Sequence, residues 1–252
     1  MQPGGTDRAE QPERADRAER ADRAERADRL GLPDFDAVIL AGGRARRLGG
    51  ADKPGLMVGT TTMAAAVTAA VATAGARSIV LVGPPRPELA GLAAALPGGL
   101  IVTREEPPGG GPVPALRAGL AGVTAPWVAV LAADLPFLRA ADVRELVRAA
   151  ARDEHPGAVL SDDAGSAQWL AGCWQAGRLR GALDRYAGSS LRGVLAPLVP
   201  VLLRLASAGQ EPPPWLDCDT PEALEAARRA VRAAPPAGRA SASARQSREA
   251  AP

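Results

Sequence analysis

Through the central two thirds of the chain, apolar residues fall in short unbroken runs stopped by glycine or proline. Residues 36–40 (DAVIL) end in Ala41-Gly42-Gly43, residues 78–82 (SIVLV) in Gly83-Pro84-Pro85, and residues 127–132 (WVAVLA) lead to Asp134. Runs that are apolar at every position, rather than at every second one, predict strands covered on both faces. A shorter strand is expected at 100–103, with weaker ones near 158–161 and 168–174. Between the runs, helices are expected at 63–74, from Pro112 to about 122, at 140–152, and after Asp219-Thr220-Pro221. Proline loses no needed hydrogen bond in a first helical turn, and Thr220 is a natural cap. This alternation predicts one doubly wound, Rossmann-like three-layer α/β/α domain with a mostly parallel sheet.

The two ends break the pattern. Residues 13–29 read ERADRAERADRAERADR, a tandem of acid-Arg-Ala triplets. Alanine alone cannot offset the entropy of ordering so many long charged side chains, so residues 1–33 are expected to form a disordered tail. Its charges alternate and nearly cancel, unlike a nucleic-acid arm, and it lacks the apolar stretch of a secretory signal. Residues 233–252, rich in Ala, Ser, Arg and Pro, read as a second tail. The expected domain is therefore 34–232. It holds no apolar run of membrane-spanning length, and a formal charge of +2 argues against nucleic-acid partners. The only cysteines, Cys173 and Cys218, lack metal-like spacing and read as core residues of a cytoplasmic protein.

Ligands of such sheets bind at the carboxyl ends of the strands, where three features suit a nucleoside triphosphate. In LAGGRARRLGGADKP (40–54), a glycine-rich turn exposes N–H groups to phosphate oxygens, and Arg47 and Lys53 add positive charge. Neither a Walker loop nor GxGxxG is present. Asp134, just past a buried strand, is well placed to hold Mg²⁺, which prefers hard oxygen ligands and phosphates. In WLDCDTP (215–221), Asp217 and Asp219 could complete a metal site, or one could support the helix start; Asp219 is favoured as the metal-facing member. A fourth segment, REEPPGGGP (104–112), could bring backbone and an acid to a flat ligand. The only histidine is His155 and no nucleophile elbow is present, which disfavours His relays and covalent serine chemistry. Nucleotidyl transfer needs neither, since an attacking phosphate is already largely ionised near neutral pH.

These segments resemble the molybdenum cofactor guanylyltransferases, within the nucleotidyltransferase superfamily that includes sugar-nucleotide and cytidylyl enzymes. LAGGRARRLGGADKP resembles their signature loop, GGGPVPALRAGL the Gly-Pro-Leu-x-Gly segment, AADLPFL the Cys-Asp-x-Pro-Phe metal motif, and DCDTPEAL the closing Asn-x-Asn/Asp-Thr-Pro-Glu-Asp motif. The matches keep family order from Asp36 to Arg229. The resemblance implies that Leu40, Ala41, Gly42 and Gly43 line the nucleotide, that Lys53 meets its phosphates, that Glu105 contacts it, and that Asp134 binds Mg²⁺. The implied reaction is GTP plus molybdopterin giving the guanine dinucleotide and pyrophosphate, with transient contact to proteins that deliver the cofactor. Gly83 and Asp217 stand where the family carries Asn, and Gln168-Trp169-Leu170 replaces a Pro-bearing pattern expected to meet the pterin. Rival readings are a cytidylyl- or sugar-phosphate nucleotidyltransferase, a nicotinamide oxidoreductase, and a non-catalytic nucleotide-binding paralogue.

Overall fold

A computed structural model describes residues 31–42, 52–152, 155–205 and 212–233. In chain order the strands are β1 (Phe35–Leu40), β2 (Met57–Val58), β3 (Thr61–Thr62), β4 (Ile79–Val82), β5 (Leu100–Thr103), β6 (Trp127–Ala132), β7 (Gly157–Ser161), β8 (Ala167–Gln175) and β9 (Val201–Leu203). The helices are α1 (Met63–Ala74), α2 (Ala90–Ala93), α3 (Pro112–Leu120), α4 (Ala140–Ala151), α5 (Ala176–Arg185), α6 (Leu191–Leu195) and α7 (Pro221–Ala233).

Seven strands form one sheet in the order β5-β4-β1-β6-β8-β7-β9. The first four run parallel, β8 is antiparallel to both β6 and β7, and β9 runs parallel to β7. The three apolar runs sit side by side at the centre, as expected of strands buried on both faces. Pleating divides them: Ala37, Ile39, Ile79, Leu81, Ala129 and Leu131 pack under α1, α2 and α4. Val38, Leu40, Val80, Val82, Val128 and Val130 pack under α3, α5 and α6. Each fully buried aliphatic side chain contributes about 1.5–3 kcal/mol, so these two layers dominate the stability.

Local chemistry fixes the helix ends. Thr62 accepts from Ala65 N at 3.2 Å to start α1, and Gly75 closes it in the left-handed conformation. Thr220 accepts from Ala223 N at 3.2 Å to start α7, as the sequence predicts. Two arginines cross-tie α3 and α5 by satisfying carbonyls at the end of the opposite helix. Arg117 donates to the carbonyls of Leu183 and Tyr186, and Arg180 to those of Leu120 and Val123. At the far pole of the sheet the buried Asp36 accepts from the backbone N–H groups of Ser78, Thr124 and Ala125. Cys173 and Cys218 are both free and buried. Among the described residues, no helix is long and apolar enough to cross a membrane.

Candidate active site

After β1 the chain pairs to one side with β4 and β5, then crosses over to place β6 on the other side of β1. This is the switch point at which doubly wound sheets open a crevice. The strand ends there are tied together: Ala41 N donates to Val82 O at 2.8 Å, and Ala133 N to Leu40 O at 3.1 Å. Gly83 passes so close that a Cβ would lie 2.8 Å from the carbonyl carbon of Ala41. The Asn expected at this position therefore has no room, and the strand ends meet through backbone instead.

Lys53 begins a single 3-10 turn, Lys53–Gly55, closed by Gly55 N donating to Asp52 O at 3.0 Å. Only 8% of the residue is exposed, and its ammonium donates to the carboxylates of both Asp134 and Asp219. These partners lie 81 and 166 positions away in the chain. Asp134 arrives on the exit from β6. Asp219 is delivered by α7, which packs Leu224 and Ala227 with Cys218 against Val58 and Met63. Arg228 Nε adds a bond to Met57 O at 3.0 Å, locking α7 onto the β2–β3 hairpin. Three segments remote in sequence thus converge on one ammonium.

The charge balance is uneven. Burial alone would lower the Lys53 pKa, but Asp134 and Asp219 outweigh it and hold the ammonium above its usual value. Asp217 is pushed up, first by burial and then by the negative charges of Asp219 and Asp134. Three carboxylates face one cation. Among the described residues, no group of three or more His, Cys, Asp and Glu could hold a metal ion unaided. Mg²⁺ does not require such a cage, because it keeps several waters and is usually held by one or two carboxylates plus substrate phosphates. Asp134 and Asp219 already converge on a cation, and the Asp219 side chain is 54% exposed, so this donor set fits Mg²⁺.

The other expected site residues divide. Leu40 and Ala41 are buried at the end of β1 with Gly42 exposed beside them. Gly43 and Arg47 lie outside the described residues. Glu105, following β5, is buried, and its carboxylate accepts from Gly109 N at 2.9 Å, so it supports the loop entering α3. The structure brings Lys53, Asp134 and Asp219 into contact and leaves Glu105 bonded to its own loop. Sequence reasoning overlooked Asp52 and Arg86, which form a two-pronged ion pair beside Lys53. It also overlooked that Lys53 is the only lysine among the 30 basic residues. A chain that uses arginine everywhere else keeps a compact ammonium here, and the two groups are not interchangeable.

The mostly parallel sheet with helices on both faces is a three-layer α/β/α fold, and the sequence places it among the nucleotidyltransferases. The MobA-like NTP transferase domain matches residues 37–202, and the chain belongs to that family. No curated protein matches it. Among solved structures it is similar to molybdopterin-guanine dinucleotide biosynthesis protein A from Archaeoglobus fulgidus, with 18% identity, a TM-score of 0.59 and coverage of 78% of this chain and 98% of that one. A nucleotidyl transferase from Methanothermobacter thermautotrophicus gives 19% identity and a TM-score of 0.62, covering 79% and 98%. The 2-C-methyl-D-erythritol 4-phosphate cytidylyltransferase from Thermus thermophilus gives 17% identity and a TM-score of 0.53, covering 79% and 99%. Likeness at these identities establishes a shared fold.

Proposed function

We propose that this protein transfers GMP from GTP to the terminal phosphate of molybdopterin, releasing pyrophosphate. The observation that carries the reading is the convergence of Lys53, Asp134 and Asp219 at the switch point between β1 and β6. In the reaction an oxygen of the acceptor phosphate attacks the α-phosphorus of GTP. The bond from that phosphorus to the bridging oxygen breaks, and pyrophosphate carries the electron pair away. No side chain need act as nucleophile, so the protein's work is alignment and charge stabilisation.

The residues divide that work. The backbone of Leu40, Ala41, Gly42 and Gly43 lines the nucleotide, with Glu105 at its edge. Lys53 and Arg47 neutralise charge developing on the phosphates. Asp134 and Asp219 hold Mg²⁺, which when bound supplies Lewis-acid stabilisation of the phosphates. The acceptor approaches on the other side of β6, where β7 ends and β8 begins. There Gln168 Nε2 donates to Asp162 Oδ2 at 3.1 Å, and Asp162 Oδ1 accepts from Ala164 N and Ser166 N. The hairpin is thus held in shape by its own bonds. We assign the activity to residues 34–232 in the cytoplasm, with transient contact to cofactor-delivery proteins.

Pyrophosphate release with Mg²⁺ and molybdopterin, compared across GTP, CTP, ATP and UTP, tests the assignment. Release with GTP alone is expected. Release with CTP alone assigns the protein to cytidylyl transfer, and no release with any of the four overturns the reading.

A further inference from the structure

We propose that Arg86 is a positioning residue that holds Lys53 in register through Asp52; the proposal rests on Lys53 being a functional group of the site. Arg86 leaves β4 in the segment GPPRPEL, and its side chain is only 4% exposed. It grips Asp52 with both terminal nitrogens, Nη1 to Oδ2 at 3.0 Å and Nη2 to Oδ1 at 2.6 Å. Such a fork fixes the plane and direction of a carboxylate as a single contact cannot. Asp52 is the residue immediately before Lys53 and supplies the carbonyl that closes the turn carrying it. Fixing Asp52 at both its side chain and its carbonyl fixes the direction in which Lys53 leaves the backbone.

Two further observations tie the pair to the turn. A Cβ at Gly55 would lie 2.4 Å from Asp52 Oδ2 and 3.1 Å from Arg86 Nη1, so glycine is what lets the clamp close over the turn. The buried Arg86 Nε has no hydrogen-bond partner among the described residues, and Glu88 lies 3.6 Å from Nη1. The guanidinium therefore directs its hydrogen bonding to Asp52 instead of spreading it over neighbouring carbonyls, as Arg117 and Arg180 do. A buried cation with an incomplete set of partners carries a cost to the fold. Its partner Asp52 stands one residue from the lysine on whose ammonium the site converges, and that gives the cost a role. The clamp also joins the exit of β4 to the turn bearing Lys53.

The sole lysine makes the test direct. Full-length protein labelled with [ε-13C]lysine has one ε-carbon resonance, and its shift reports the surroundings of the Lys53 ammonium whether or not the protein turns over. Arg86→Gln and Asp52→Asn are each expected to move that resonance toward its position in the denatured chain. Each should lower kcat about tenfold with little change in the KM for nucleotide, since small misplacements of a catalytic group are expensive. The double variant should be no worse than either single one, as for two residues acting through one contact. Asp52 is 58% exposed, so Asp52→Asn decides the matter should Arg86→Gln fail to fold. The proposal is overturned if the resonance keeps its wild-type position in the folded variants. It is also overturned if the two losses multiply, or if only the melting temperature falls. If the wild-type protein releases no pyrophosphate from any nucleotide, the functional reading fails and the resonance alone still decides the clamp.

Discussion

Lys53→Met keeps the buried stem of the side chain and removes only the ammonium. The stability cost has two opposing parts. Asp134, whose side chain is 20% exposed, loses its cationic partner, which costs about 1–3 kcal/mol. Against this, a buried charge no longer has to be desolvated, and replacing part of a buried pair by an apolar group recovers some of the loss. The exposed Asp219 adds little, because water screens it. The net change should stay within about 2 kcal/mol, or a fall in Tm of at most about 8 °C for a domain of this size. The effect on chemistry is larger. Removing one preorganised donor to charge developing in the transition state costs about 10²–10³ in kcat, or about 3–4 kcal/mol. Single-turnover pyrophosphate release at saturating GTP and Mg²⁺, beside a thermal melt, separates the two. A kcat within about threefold of wild type would remove Lys53 from the site. A fall in Tm beyond about 15 °C would make it a structural residue.

Asp134→Asn should abolish transfer to the limit of detection while far-ultraviolet circular dichroism stays unchanged; global unfolding would contradict the placement of Asp134 at the open end of β6. For Lys53 the pH dependence follows from the sign of its shift. The folded pKa is raised above the unfolded value of about 10.4, so the stabilisation is complete below about pH 10 and is lost as pH rises through the folded pKa. The lysine resonance should titrate at higher pH in the native than in the denatured protein, and a native midpoint at or below the denatured one would refute the pairing. Burial pushes the Cys173 thiol up to about 12 and Cys218 up to about 11, so neither offers a thiolate near neutrality. Native protein should resist iodoacetamide at pH 8 and take up two equivalents once denatured; rapid alkylation of the native state would show the α7 core to be open.

The legible parts of this fold are those in which a local rule and the tertiary environment agree. β1, β4 and β6 could be read because they are buried on both faces, and α3 and α7 because Pro112 and Thr220 mark their starts. The β2–β3 hairpin and β9 have two or three residues each, too few to show a period. In α5 the buried Ala176, Leu179 and Leu183 are spaced for one helical face, but glycines and arginines dilute the pattern. The antiparallel run of β8 depends on chain path, which hydrophobicity does not record.

The site follows the same division. Lys53, Asp134 and Asp219 are each identifiable beside a strand or helix end, whereas their meeting across 81 and 166 positions is a property of the sheet. Glu105 could be singled out as an acid near the nucleotide, yet its bond to Gly109 is visible only in the structure. Arg86 offers one signal, a lone cation in a proline-rich turn, and nothing in its neighbours names Asp52. The solitary lysine was visible all along, but a count that pools lysine with arginine conceals it.

The central claim, nucleotidyl transfer at the Lys53–Asp134–Asp219 junction, is tested most directly by following the label from GTP. Protein incubated with Mg²⁺, molybdopterin and GTP labelled at the α-phosphorus should place the label in a new molybdopterin-bound product, and γ-labelled GTP should place it in pyrophosphate. Label from the γ position appearing in the acceptor or in free phosphate would mean phosphoryl transfer or hydrolysis, and would contradict the account.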